Sequence, residues 1–107
     1  MASDAEKKSF IDSLQAVIDA CHDKAEDGGL TQAQRDIFER NELNFVQSQT
    51  AANSKDFAPV DSADAADAIV KNNDASVKAS AAVNPNSVQA AKKALSVAQA
   101  AVDGVLG

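Results

Sequence analysis

The stretch Asn84-Pro85-Asn86-Ser87-Val88-Gln89-Ala90-Ala91-Lys92-Lys93-Ala94-Leu95-Ser96-Val97-Ala98-Gln99-Ala100-Ala101-Val102-Asp103 decides the fold class. Asn suits a helix N-cap, and Pro suits the first helical position because it has no N–H to leave unpaired. Val88, Ala91, Leu95, Ala98, Val102 and Val105 then recur at spacings of three and four. That is the seam of a helix packed lengthwise against another helix. Asp103-Gly104 is the expected stop. The preceding segment, residues 62–83, has the same Ala/Val-rich character, so the two read as a helical hairpin. Val70 and Val77 are the expected seam residues opposite Val88, Leu95, Val102, Val105 and Leu106.

Earlier in the chain, Ser3 with Glu6 forms a capping-box signature. Phe10, Leu14, Val17, Ile18, Cys21 and Ala25 follow as one stripe of an amphipathic helix. Gly28-Gly29 is expected to stop it, with glycine in the left-handed conformation at the C-cap. Thr31 with Gln34 repeats the capping box, and Leu30 sits where a hydrophobic staple would. Ala33, Ile37, Phe38, Phe45 and Val46 form the apolar side of this second helix, which frays near Asn53. Leu43 falls off that stripe and hints at a second contact surface. Pro59 disfavours helix at Ala58, so Phe57-Ala58-Pro59-Val60 reads as an extended connection pinned to the core by Phe57 and Val60. In the third helix, Ala66, Ile69, Val70 and Val77 are expected to share a face, and Asn72-Asn73-Asp74 interrupts the pattern with a potential kink.

The expectation is an all-α fold: a single domain, 1–107, of about four helices in two hairpins. These are 3–53 and 62–103, joined by 54–61, and the second hairpin is Ala/Val-rich and coiled-coil-like. A chain of 107 residues buries roughly two thirds of its unfolded surface. All four Phe lie in the first 57 residues, and beyond them the only apolar side chains larger than valine are Ile69, Leu95 and Leu106. Alanine removes little surface from water. The C-terminal hairpin therefore needs the Phe-bearing half, or a second copy of the chain, to cover it.

Formal net charge is −6, with eleven acids against six bases through Phe57 and five against four after it. The basic footprint that neutralises phosphates is missing, which argues against nucleic acid and against an anionic membrane surface as partners. The polar N-terminus lacks the apolar core of a signal peptide, and no run approaches the ~18 apolar residues of a membrane span. The expected location is the cytoplasm or the interior of a protein assembly.

Chemistry-bearing residues are sparse. Cys21 is the one cysteine, which excludes a disulfide framework and multi-Cys zinc motifs. Cys21 and His22 point about 100° apart on a helix and do not converge on a ligand. Cys21 reads as a buried small hydrophobe, and His22 as a surface residue near a helix C-terminus. Asp61, Asp64 and Asp67 complement the macrodipole of a helix start, and Arg35 and Arg40 are the expected neighbours of Glu39 and Glu42. The segment from Asp23 to Gln34 resembles an EF-hand calcium loop in Asp23, Asp27, Gly28 and its flanking helices. It departs from that family at Ala25, which offers no ligand, and at Gln34, where a bidentate Glu is usual. No phosphate-binding loop, dinucleotide fingerprint or hydrolase signature is present, and no cofactor or metal is expected.

The leading expectation is a non-enzymatic interaction or assembly subunit acting through its Ala/Val seam. Its composition is of a kind common among phage-encoded and accessory bacterial proteins. Leu95→Ala should then cost ~2–5 kcal/mol. The alternative is a small acidic inhibitor or decoy for a basic protein surface, using Asp12, Asp19, Glu26, Glu39 and Glu42. A degenerate calcium module is a third reading.

Overall fold

Each helix begins at a side chain that accepts the first free N–H groups. A computed structural model describes residues Met1 to Gly107. It contains α1 (Asp4–Ala25), α2 (Gln32–Ser54), α3 (Ser62–Ser80) and α4 (Pro85–Leu106), and no strand. Ser3 and Glu6 close a capping box on α1, Thr31 and Gln34 do so on α2, and Asn84 and Ser87 on α4. Asp61 caps α3 by accepting from Ala63 and Asp64. The fold is a small all-α bundle, 43 × 20 × 19 Å along its principal axes.

Going round the bundle, the order is α1, α2, α4, α3. α1 packs on α2 and α3, and α4 packs closely on α3 but only sparsely on α2; the diagonal pairs do not meet. Both hairpins are antiparallel, as their short turns require. α1 and α3, however, are parallel. The Ala2 amide donates to the Val60 carbonyl at 2.8 Å, and the Ser62 hydroxyl donates to the Met1 carbonyl at 2.8 Å. Farther along, Asn72 donates to Ser13, Ser76 to the Ala16 carbonyl, and Lys24 to the Ala82 carbonyl. Residues 55–61 thus carry the chain across the end of the bundle, from α2 to the diagonally opposite α3.

The core is filled from both halves. Phe10, Leu14 and Val17 of α1, Phe38 and Phe45 of α2, and Val88, Leu95 and Val102 of α4 are its large, fully buried side chains. Phe57 tilts against Phe10 with ring centroids 5.5 Å apart. The Lys7 ammonium lies 5.6 Å from the Phe57 ring and donates to the carbonyls of Asn53 and Lys55. That fixes the connection where the fraying end of α2 would otherwise leave it loose.

Four expectations are corrected. On α3 the inward face is Ala65, Ala68, Asn72, Ala75 and Ala79, not the face of Ala66, Val70 and Val77. Val70 and Val77 are 66 % and 68 % exposed. α3 is squeezed between α1 and α4, and close helix axes select the smallest side chains over the more hydrophobic ones. Asn72 does not kink the helix, which runs unbroken from Ser62 to Ser80. Its side chain is wholly buried, with the Nδ2 donating to Ser13 Oγ at 2.9 Å and the Oδ1 left without a protein partner. Ser13 Oγ in turn donates to the Phe10 carbonyl at 2.7 Å.

α4 passes through Gly104 to Leu106, because Val105 is buried in the chain's own core and holds the last turn. α1 ends at Ala25, before the glycines, and neither Gly28 nor Gly29 has positive φ. The turn is closed by Asp27 instead: its side chain accepts from the Gly29 amide at 2.8 Å and its carbonyl from the Leu30 amide at 3.1 Å. Arg35 donates to the Asp27 and Leu30 carbonyls. A Cβ on Gly29 would sit 3.1 Å from the Asp27 carboxylate, so close approach rather than left-handedness favours glycine there.

Candidate functional site

The seam residues of α4 lie inside the molecule. Val88, Leu95, Val102 and Val105 are buried, and Leu106 is half-buried at the edge of the α2/α4 groove. Val70 and Val77 stand apart from them, on the outer side of α3. The structure therefore does not bring the seven seam residues together.

What it does gather is the acidic half. His22, Ala25 and Glu26 of the α1 end face Glu39, Glu42 and Leu43 of α2 across a shallow cleft of about 400 Å³. His22 Nδ1 lies 3.0 Å from Glu42 and its Nε2 lies 3.4 Å from Glu26. The hydrogen bond to Glu42, then the charges of Glu26 and Glu42, hold the imidazolium above its usual pKa of 6.5. Glu42 pairs with His22 rather than with an arginine, and Arg35 is spent on the loop carbonyls.

Leu43, 59 % exposed, lies off the core stripe as its spacing indicated. Val46, one turn on, is also exposed, as is Ala33, so neither lies on the buried side of α2 where the spacing placed them; Ser48 and Ala52 are buried there with Phe38 and Phe45. Beside the cleft on α1, Gln15 donates to Asp19 and accepts from Gln49 of α2. Asp12 bonds Lys8, whereas Asp19, Asp23 and Glu39 take part in no ion pair. On α3, by contrast, Asp67 and Asp74 are matched by Lys71 and Lys78 one turn away. The excess negative charge lies in the α1–α2 half of the chain, and three of its carboxylates, Glu26, Glu39 and Glu42, line one cleft with Leu43.

The remaining candidates have structural partners. Cys21 is buried, and desolvation, with the charge of Glu42 second, pushes its thiol up to about 12. A thiol in that state is not a nucleophile. In the loop resembling an EF-hand, Asp27 is engaged by the Gly29 amide, which chiefly lowers its pKa, and by Lys24. No three His, Cys, Asp or Glu side chains converge in a way that could hold a metal ion. No helix is long and apolar enough to cross a membrane.

Sequence reasoning missed the His22–Glu42 pair, since the partners lie twenty residues apart and nothing local marks the pairing. Leu43 was the one available signal. Searches of protein-family models, curated proteins and solved structures found none that matches this chain.

Proposed function

We propose that this chain is a non-enzymatic protein-interaction module whose α1/α2 face docks a basic, amphipathic segment of a partner protein. One observation carries the reading: the carboxylates of Glu26, Glu39 and Glu42 line a shallow cleft with the exposed Leu43, and His22 is the only basic side chain in that lining. Charge of one sign steers an oppositely charged segment and sets its register, while an apolar side chain at the centre supplies the desolvated contact. A helix with lysines flanking apolar residues at i, i+3 and i+4 fits this chemistry. The module would serve as an inhibitor, decoy or adaptor.

The test is calorimetric titration with a synthetic amphipathic Lys/Leu helical peptide at low and high ionic strength. Binding should weaken steeply with salt and be abolished by Leu43→Asp. Salt-independent binding, or binding indifferent to Leu43, would refute the reading.

Self-assembly is the second reading, and Val70 and Val77 favour it. They lie one heptad apart on the outer side of α3, flanked by exposed Ala63, Ala66 and Ala81. The α4 part of the seam is already occupied within the chain, which weakens this reading. Light scattering at low and high salt separates the two: a salt-resistant multimer lost in Val70→Lys favours assembly, and a monomer favours the acidic face.

A further inference from the structure

His22 is the only histidine of the chain, and its ring is held between carboxylates from both sides of the α1/α2 junction. Nδ1 faces Glu42 of α2 at 3.0 Å, and Nε2 faces Glu26, the cap of α1, at 3.4 Å. A neutral imidazole carries one N–H, so it donates to one carboxylate and turns a lone pair toward the other. Only the imidazolium donates to both.

We propose that His22 is a proton-operated latch on the acidic face. Charged, it donates to Glu26 and Glu42 together and masks both. Neutral, it keeps its Nδ1–H on Glu42 and releases Glu26. The choice of Glu26 follows from geometry: it is the longer contact, and its side chain is 71 % exposed against 23 % for Glu42. The charged groups around the ring are Asp23 and Glu26 on the α1 side and Glu39 and Glu42 on α2. Lys24, two residues after His22, turns away to the Ala82 carbonyl and Asp27. Losing the proton therefore takes the face from four carboxylates and one cation to four carboxylates alone.

The consequence for partners rests on the docking function proposed above: a basic segment binds more tightly once His22 is neutral. By linkage, that segment must lower the His22 midpoint when it binds. The latch itself does not depend on the partner.

NMR titration of the His22 ring protons in the intact protein follows one residue without assignment ambiguity. The midpoint should lie above the ordinary value of 6.5, fall in Glu42→Gln, and fall by less in Glu26→Gln. The Lys/Leu peptide should lower it, and affinity at alkaline pH should be tenfold tighter for every full pH unit the midpoint falls. A free-protein midpoint at or below 6.5, or one unmoved by both Gln variants, overturns the latch. A high midpoint, lowered by Glu42→Gln in a protein that ignores the peptide, establishes the latch and removes only the docking function.

Discussion

Leu95→Ala tests which side of each C-terminal helix faces inward. Leu95 is wholly buried, on the line of Val88, Ala91, Ala98 and Val102. Removing its isobutyl group sacrifices the transfer free energy of the lost carbons and leaves a cavity, together ~2–5 kcal/mol. The position within that range depends on how far the surroundings collapse. α3, on which α4 packs, offers an inner face of Ala65, Ala68, Ala75 and Ala79, with no side-chain rotamers to swing into the void. On that side only a backbone shift can fill it, which places the cost in the upper half, about 4 kcal/mol. That is a large share of the ~5–15 kcal/mol available to a domain. At about 4 °C per kcal/mol near this chain length, the melting temperature should fall by about 16 °C. The matched control is Val77→Ala, 68 % exposed on the outer side of α3, which should stay within about 0.5 kcal/mol of the parent. Thermal unfolding followed by far-UV circular dichroism measures both. Equal shifts, or a larger one for Val77→Ala, would refute the assigned helix phase. A Val77→Ala loss that grows with protein concentration would instead point to the self-assembly reading.

Asn72 gives a contrast of sign. Asn72→Ala should change stability by no more than ~1 kcal/mol, since it removes one hydrogen bond and an unpaired buried carbonyl together. Asn72→Asp should cost about 4 kcal/mol at neutral pH, the equivalent of a carboxyl pKa raised by about three on burial, and recover as pH falls and the acid becomes neutral. Among the caps, Ser3→Ala and Asn84→Ala should each lose ~1 kcal/mol in chemical denaturation, with Gly at the same sites less harmful. His22, with its raised folded pKa, contributes stability that is fully present below its ordinary value and is lost as pH rises through the folded one. Asp27, with its lowered pKa, contributes stability present above its ordinary value and lost as pH falls through the folded one. Melting temperature against pH for the parent, His22→Gln and Asp27→Asn should separate the two limbs, and a flat difference curve for His22→Gln would remove the first.

Much of this architecture was legible from local patterns. The caps at Ser3, Thr31 and Asn84, the stripe from Phe10 to Cys21, and the pinning of the connection at Phe57 and Val60 all depend on neighbours within a few residues, although Phe57–Val60 is a turn closed by the Val60 amide on the Phe57 carbonyl at 3.0 Å, not the extended segment expected. What the pattern misjudged is α3, where hydrophobicity ranks Val above Ala but the space between α1 and α4 ranks them the other way. Asn72 was read as an interruption for the same reason: a polar residue in an alanine face looks like a break until its partner, Ser13, arrives from the parallel α1. The parallel packing itself has no sequence mark, because it is set by where residues 55–61 carry the chain. The His22–Glu42 pairing was hidden likewise, and the acidic face was visible only as a surplus of carboxylates in one half.

The burial of Cys21 gives the molecule a chemical clock. With no Trp and no Tyr, the chain has almost no near-ultraviolet signal with which to follow its own opening. The single thiol supplies one, because a disulfide reagent reaches it only when α1 leaves the core. When reclosing outpaces labelling, the rate reports the equilibrium free energy of opening; with excess reagent it reports the opening rate itself. Placed beside amide exchange, that one sulfur would tell whether the α1–α2 hairpin detaches as a unit or the four helices come apart together.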